Sequence, residues 1–142
     1  MVVCFDTNVL IYFVNNHPEF GASSRALVNH VSSGRLKSVG SELLFLEVFA
    51  YKDMDIRQTR VRMEQFMEKS GVDFIPVTRQ ILVEAAHLKR KTSGLKTPDA
   101  IHVATAMVAR ADHFVTNDKA LLRLKLPFIT FVSTENAAAM ID

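Results

Sequence analysis

The chain reads as an α/β protein with a mostly parallel sheet. Three observations predict this. Short apolar runs such as Val2–Phe5, Asp73–Ile75 and His113–Thr116 alternate with segments of helical length. Strands alternating with helices, rather than grouped, are the pattern of parallel βαβ units. One strand-like run leads directly into Asp6 and another, through Asn117, into Asp118, and the carboxyl ends of parallel strands are where such folds bind ligands.

Val2–Phe5 is apolar, partly β-branched and bounded by polar residues, as a fully buried strand should be. Asn8 is expected to cap a helix running through Val9–Phe13. A second helix is expected from near Pro18 to about Ser32, with Gly34 breaking it. A short strand follows near Lys37–Val39, then a helix over about Glu42–Lys52 and another over about Asp55–Lys69, closed by Ser70-Gly71. Asp73–Ile75 reads as a strand ended by Pro76. Thr78 caps a helix to about Lys91 with Ile81, Ala85 and Leu88 on its apolar face, and Gly94 lies beyond its end.

The clearest helix comes next. Thr97 is placed as its cap and Pro98 at its first position. Ala100, Val103, Ala104, Met107, Val108 and Ala111 then recur at helical spacing. A strand over His113–Thr116, a short helix near Lys119–Leu124, a strand near Phe128–Phe131 and a last helix from about Ser133 complete the chain.

With 142 residues and no linker or repeat, one domain spanning 1–142 is expected, and 49% hydrophobic residues suffice for a core. No apolar run approaches the roughly 18 residues of a membrane helix, and the start carries no signal-peptide pattern. The single Cys4 cannot form an internal disulfide and is expected as a buried thiol. A reducing, cytoplasmic setting follows.

A formal charge of +2 gives no bulk signal for a polyanionic partner. The distribution of charge says more. Lys89-Arg90-Lys91 with Lys96, then Arg57 with Arg60 and Arg62, then Lys119 with Arg123 and Lys125 form three basic groups. Each is readable as a solvated helix face or as a contact for RNA phosphates.

Four acids stand apart from these groups. Asp6 and Asp118 follow strand-like runs, Glu47 is the only charge between Leu43 and Tyr51, and Asp99 follows Thr97-Pro98. Singly, each has a structural explanation: a turn acid, a cap, a partner for a distant Lys or Arg, or an acid at a helix N-terminus. Together they fit a site that neutralises them with a cation, since unpaired carboxylates are costly to remove from water. An oxygen-only ligand set suits Mg²⁺ or Mn²⁺. One cysteine excludes a thiolate-rich zinc site. His102, one turn after Asp99, either reaches the acids or packs. There is no Gly-rich phosphate loop and no Gly-x-Ser-x-Gly elbow, and Asn8 replaces the second acid of an Asp-x-Asp phosphatase pattern.

Cys4–Leu10, Ser41 with Glu47, Asp99–Ala106 and Phe114–Asp118 resemble, in order and spacing, the four signature blocks of PIN domains. The compact chain is most similar to the VapC toxins of toxin–antitoxin pairs. The resemblance implies a three-layer α/β/α sandwich with a site built from Asp6, Glu47, Asp99 and Asp118. Thr116 and Asn8 would hydrogen-bond within that site. It implies an Mg²⁺- or Mn²⁺-dependent endoribonuclease that forms a homodimer and is inhibited by an antitoxin protein. Asp6 and Asp99 would be direct metal ligands, Glu47 would bind metal or orient the attacking water, and Asp118 would hold a second ion or an outer-shell water. Lys89, Arg90, Lys91, Lys96 and Lys119 are the candidates for RNA contact. The segment from Glu42 to Lys69 would carry dimer and antitoxin contacts. A PIN nuclease of RNA maturation, and a non-catalytic PIN-fold module binding RNA or protein, are the alternatives.

Overall fold

A computed structural model describes residues 1–50 and 56–141, with side chains described outside 51–59. Tyr51, Lys52, Asp55 and the side chain of Arg57 therefore lie outside the described residues. Among the described residues the strands are β1 (Val2–Phe5), β2 (Lys37–Ser41), β3 (Asp73–Ile75), β4 (His113–Val115) and β5 (Thr130–Val132). The helices are α1 (Thr7–Asn15), α2 (Gly21–Ser32), α3 (Leu43–Phe49), α4 (Ile56–Lys69), α5 (Arg79–Lys91), α6 (Thr97–Val108), α7 (Lys119–Leu122) and α8 (Thr134–Ile141).

The strands form one sheet in the order β3-β2-β1-β4-β5, and every pairing is parallel. The chain therefore builds outward from β1 in one direction and then returns to build outward in the other. The reversal point lies between β1 and β4. Crevices at the carboxyl ends of strands flanking such a reversal are where open α/β sheets bind ligands.

Side-chain alternation along the strands explains the layers. Val3, Phe5 and Val115 point to one face and pack with Val9, Leu10, Leu27, Val31, Leu44, Val48, Met63 and Met67. Cys4, Phe114 and Phe131 point to the other and pack with Ile81, Leu88, Val103 and Ala104. Both faces are covered, so the architecture is the three-layer α/β/α sandwich. Burial of both faces is also why β1 and β4 are almost wholly apolar.

Gly40 on β2 brings α3 close to the sheet. A Cβ there would lie 2.7 Å from Leu44 Cδ1 and 3.3 Å from Val72 Cγ1, so glycine lets the leucine press onto the strand backbone. Ser41 ends β2, and its hydroxyl accepts from the Leu43 N–H at 3.1 Å, which starts α3.

Several boundaries differ from those read in the sequence. Asp6, not Asn8, caps α1, its side chain accepting from Thr7 N; the helix begins directly at the strand end. The second helix begins at Gly21 rather than Pro18. His17 Nδ1 accepts from the N–H groups of Glu19 and Phe20, at 3.2 and 3.1 Å, so residues 18–20 are held in a turn. Lys96 occupies the cap position of α6 and Thr97 lies inside the helix. The helix ends at Val108 because Arg110 adopts a left-handed φ of 57° and Ala111 N turns back to Ala106 O. Ala111 is buried nonetheless.

The last strand is Thr130–Val132, not Phe128–Phe131. Leu126 and Ile129 form an antiparallel bridge, and Phe128 between them has a φ of 70° and is 99% exposed. Phe128 is thus a turn residue in a conformation that glycine normally fills. His113–Thr116 shortens to His113–Val115, although Thr116 N still donates to Val132 O at 2.9 Å. The short helix expected to reach Leu124 stops at Leu122.

Candidate active site

Asp6 leaves β1 at the reversal point of the sheet and is almost fully buried. Its Oδ1 accepts from Thr7 N at 2.8 Å and its Oδ2 from the Thr116 hydroxyl at 2.7 Å. Thr116 follows β4 and is fully buried. Its hydroxyl oxygen also accepts from Asp118 N at 3.0 Å. One hydroxyl thus ties the acid after β1 to the loop carrying the acid after β4.

Asp118 is exposed and caps α7. Its Oδ1 accepts from Ala120 N at 2.8 Å and Leu121 N at 3.1 Å. The loop holding it is pinned from outside. Asn117 donates its side-chain amide to the Thr134 hydroxyl at 2.9 Å and accepts from Thr134 N at 3.1 Å. Asp99 lies in the first turn of α6 and is half-buried.

Glu47 stands on α3, whose Leu44 and Val48 face the core. Its Oε1 accepts from the Thr7 hydroxyl at 3.0 Å and is bonded to Nε2 of His102, a fully buried residue on α6. This histidine takes the place of the distant Lys or Arg partner that the sequence allows for Glu47. A cleft of about 180 Å³ runs beside Asp99 and Asp118, lined also by Lys96 and by Leu95, Leu121 and Leu124.

A family model decides the relationship: that of the PIN domain matches residues 3–126. The chain belongs to the PIN domain family. Solved structures with a similar PIN fold include VapBC2 of Rickettsia felis bound to a promoter DNA fragment, at a TM-score of 0.70 and 17% identity over 94% of this chain and 98% of that one. DNA-bound VapBC of Salmonella typhimurium aligns at a TM-score of 0.67 and 23% identity over 94% and 98%. VapBC-1 of nontypeable Haemophilus influenzae aligns at 0.65 and 17% over 95% and 99%. At such identities the likeness is one of fold. Among curated proteins none matches the sequence significantly.

The electrostatics of this PIN site follow from burial and crowding. Asp6 is pushed above the usual carboxylate range, first by burial and then by the charge of Glu47, against the pull of Thr116, His102 and Thr7. Asp99 is raised by its own burial and then by repulsion from Asp6, Asp118 and Glu47. Burial also acts to raise Glu47, but the bond and charge of His102 and the Thr7 hydroxyl outweigh it, and the net shift is downward. The charges that shift Asp6 and Asp99 are those of other acids and of His102.

The four acids therefore share one electrostatic neighbourhood. Among the described residues, however, no three Asp, Glu, His or Cys side chains form a ready-made metal cage. The donor set still fits a hard divalent cation. Mg²⁺ commonly keeps several waters and takes only one or two carboxylates from a protein, the rest of its shell coming from water and substrate phosphate.

The supporting residues divide. Thr116 bonds Asp6 as the resemblance implies, whereas Asn8 is not among the hydrogen-bond partners of the four acids among the described residues. Sequence reasoning misses Thr7, Asn117 and Thr134. Thr7 and Asn117 sit beside Asp6 and Asp118, which is the one signal that points to them. Of the basic residues, Lys96 lines the cleft. Lys119 opens α7 directly after Asp118. Lys89 donates to the Thr97 hydroxyl at 2.6 Å, and Arg60 pairs with Glu64 at 3.4 Å. Lys89, Arg90 and Lys91 are exposed in the last turn of α5. Cys4 is fully buried, and burial raises its thiol far above the ordinary range, so it stays protonated.

Proposed function

We propose that this PIN domain, spanning residues 1–142, is a divalent-metal-dependent endoribonuclease, the toxin of a toxin–antitoxin pair. The observation that carries the reading is the meeting of the acids at the reversal point of a parallel sheet: Asp6 and the Asp118 loop joined through Thr116, Glu47 bonded to Thr7 beside Asp6, and Asp99 on the cleft that Asp118 also lines. Folding alone gives no reason to crowd four acids there, while a cation relieves the repulsion.

Asp6 and Asp99 would hold Mg²⁺ or Mn²⁺ directly. Glu47 binds the ion or orients the attacking water, and Asp118 serves a second ion or an outer-shell water. When bound, the cation lowers the pKa of a water and stabilises charge on the phosphoryl oxygens. Thr116 fixes the rotamer of Asp6, and the caps at Asp6 and Asp118 hold both acids on rigid backbone. The RNA backbone would follow the cleft beside Asp99 and Asp118, which Lys96 lines, with Lys119 after Asp118 and Lys89, Arg90 and Lys91 at the end of α5 as further phosphate contacts.

The antitoxin partner is supported by the solved structures of similar fold, which include VapBC assemblies and a toxin–antitoxin complex from Klebsiella pneumoniae. A homodimer in the cytoplasm completes the reading, and no helix among the described residues is long and apolar enough to cross a membrane.

Cleavage of a mixed pool of structured and single-stranded RNA tests it. Wild type and Asp6→Asn are compared with Mg²⁺, with Mn²⁺ and with chelator. Cuts that need the metal and vanish in the variant are expected. Cuts that survive both chelator and Asp6→Asn would overturn the proposal.

A further inference from the structure

His102 is placed where packing alone would call for an aliphatic side chain. It is 0% exposed, and its neighbours on α6, Val103, Ala104 and Ala106, are equally buried and apolar. Its Nδ1 finds no hydrogen-bond partner among the described residues. Its Nε2 faces Glu47 Oε1 and lies 3.2 Å from the Thr7 hydroxyl oxygen.

The proton inventory settles the direction of these bonds. Thr7 has one hydroxyl proton and directs it to Glu47 Oε1, at 3.0 Å. An ionised carboxylate only accepts. Were Nε2 unprotonated, its lone pair would oppose the carboxylate while Nδ1–H stood buried and unpaired. A proton on Nε2 gives the carboxylate a donor, in the neutral ring and in the charged one alike. The imidazole therefore donates, and Glu47 Oε1 receives two protons, one from α1 and one from α6.

The three residues belong to three elements. Thr7 adjoins Asp6, Glu47 rides on the seven-residue helix α3, and His102 lies one turn beyond Asp99 on α6. A short helix fixes its side chains poorly by itself. The two donors fasten Glu47 to the segments that carry Asp6 and Asp99.

We propose that His102 is a positioning residue that donates Nε2–H to Glu47 and, with Thr7, holds that carboxylate in the orientation the acid site requires. The inference rests on the acid-site reading above. It goes further in giving a role to a residue that touches neither cation nor RNA. A plain packing role predicts lost stability alone. A positioning role predicts weaker cation binding that depends on Glu47.

The experiment uses the full chain. Mn²⁺ affinity is measured by titration calorimetry for wild type, His102→Leu, His102→Gln, Glu47→Gln and the His102→Leu/Glu47→Gln double variant, alongside kcat and KM on RNA. Loss of an outer-shell partner to a metal ligand typically weakens affinity about 10–100-fold. His102→Leu is expected to show a loss of that order, with kcat falling and KM nearly constant. His102→Gln, which keeps a donor, is expected to recover most of it. In the Glu47→Gln background the leucine substitution is expected to add little. If His102→Leu does not fold, Thr7→Val and His102→Gln carry the test, the first weakening Mn²⁺ binding and the second retaining it.

Two failures are distinct. Wild-type Mn²⁺ affinity in folded His102→Leu, or a full effect of that substitution without Glu47, overturns the positioning role and leaves the acid site standing. A folded wild type that binds no Mn²⁺ overturns the acid site, and this inference with it. Nitrogen NMR of the imidazole adds a readout free of metal: a slowly exchanging Nε2–H is expected, and an Nδ1–H tautomer would refute the assignment.

Discussion

Thr116 donates its hydroxyl proton to Asp6 Oδ2 at 2.7 Å while accepting the backbone N–H of Asp118 at 3.0 Å. The two acids come from either side of the reversal in the sheet, and one buried hydroxyl bridges the carboxylate of the first to the backbone of the second. Thr116→Val keeps the shape and removes both bonds. A buried carboxylate left short of a donor costs about 1–3 kcal/mol. The valine variant should be less stable by that amount and lose most cleavage, while Thr116→Ser retains both. Calorimetric melting with a cleavage assay checks this.

Asp6→Asn keeps the cap on α1, because the amide oxygen still accepts from Thr7 N. The fold should persist by circular dichroism. Cleavage should fall by more than about 100-fold, beyond the usual cost of losing an outer-shell group. An active Asp6→Asn would remove the residue from the mechanism.

The cation-free protein should answer oppositely to neutralising Asp99 and Glu47. Asp99 titrates above its unfolded value, through burial and then Asp6 and Asp118. Its charged form therefore opposes folding above the folded pKa, and the penalty disappears as pH falls through that value toward the unfolded one. In chelator at neutral pH, Asp99→Asn should raise the melting temperature by roughly 1–2 °C. That is about 0.5 kcal/mol, once screening of a half-exposed group is allowed for.

Glu47 has the reverse sign, since its folded pKa is lowered by His102 and Thr7 in excess of what burial adds. Its contribution is present above the unfolded value and lost as pH falls through the folded one. Glu47→Gln should lower the melting temperature at neutral pH. Both differences should shrink in acid. Shifts in the same direction at neutral pH would contradict the charge arrangement.

Lys96 and Lys119 flank the cleft and the Asp118 loop, so their substitution should change the salt dependence of RNA binding. Removing a lysine that neutralises one phosphate of a single strand flattens the plot of log affinity against log salt by about 0.7. Filter binding by the Asp6→Asn protein, with and without Lys96→Ala, measures it. An unchanged slope would exclude Lys96 from the RNA backbone.

Phe128 combines a φ of 70° with 99% exposure. A left-handed non-glycine residue stores about 1–3 kcal/mol, partly offset by the extra freedom that glycine gives the unfolded chain. Phe128→Gly should therefore stabilise the protein by about 1 kcal/mol. A lower melting temperature would mean that the ring is held by packing rather than idle in solvent.

Much of this molecule is legible in one dimension. Alternating strands and helices select a parallel α/β sheet, and hydrogen bonding in that sheet forces Asp6 and Asp118 to one edge. Helical spacing alone assigns Ile81, Ala85 and Leu88 to the core, where they are found. These features depend on local periodicity, which sequence carries. The turn at Phe128 reads as strand in the sequence because an apolar β-former masks a glycine-type backbone.

How Glu47 is held depends on contacts between distant segments. Its partners, Thr7 and His102, lie 40 and 55 residues away. No period or spacing links positions on three different helices. Whether His102 meets Glu47 or merely packs depends on how α3 and α6 cross at the edge of the sheet. Gly40 helps to seat α3 on the sheet, since the absent Cβ lets Leu44 settle onto β2. Residue order and local periodicity name the acids and the edge of the sheet that collects two of them. The packing of helices on that sheet decided which of the acids are bonded and which are left to repel one another.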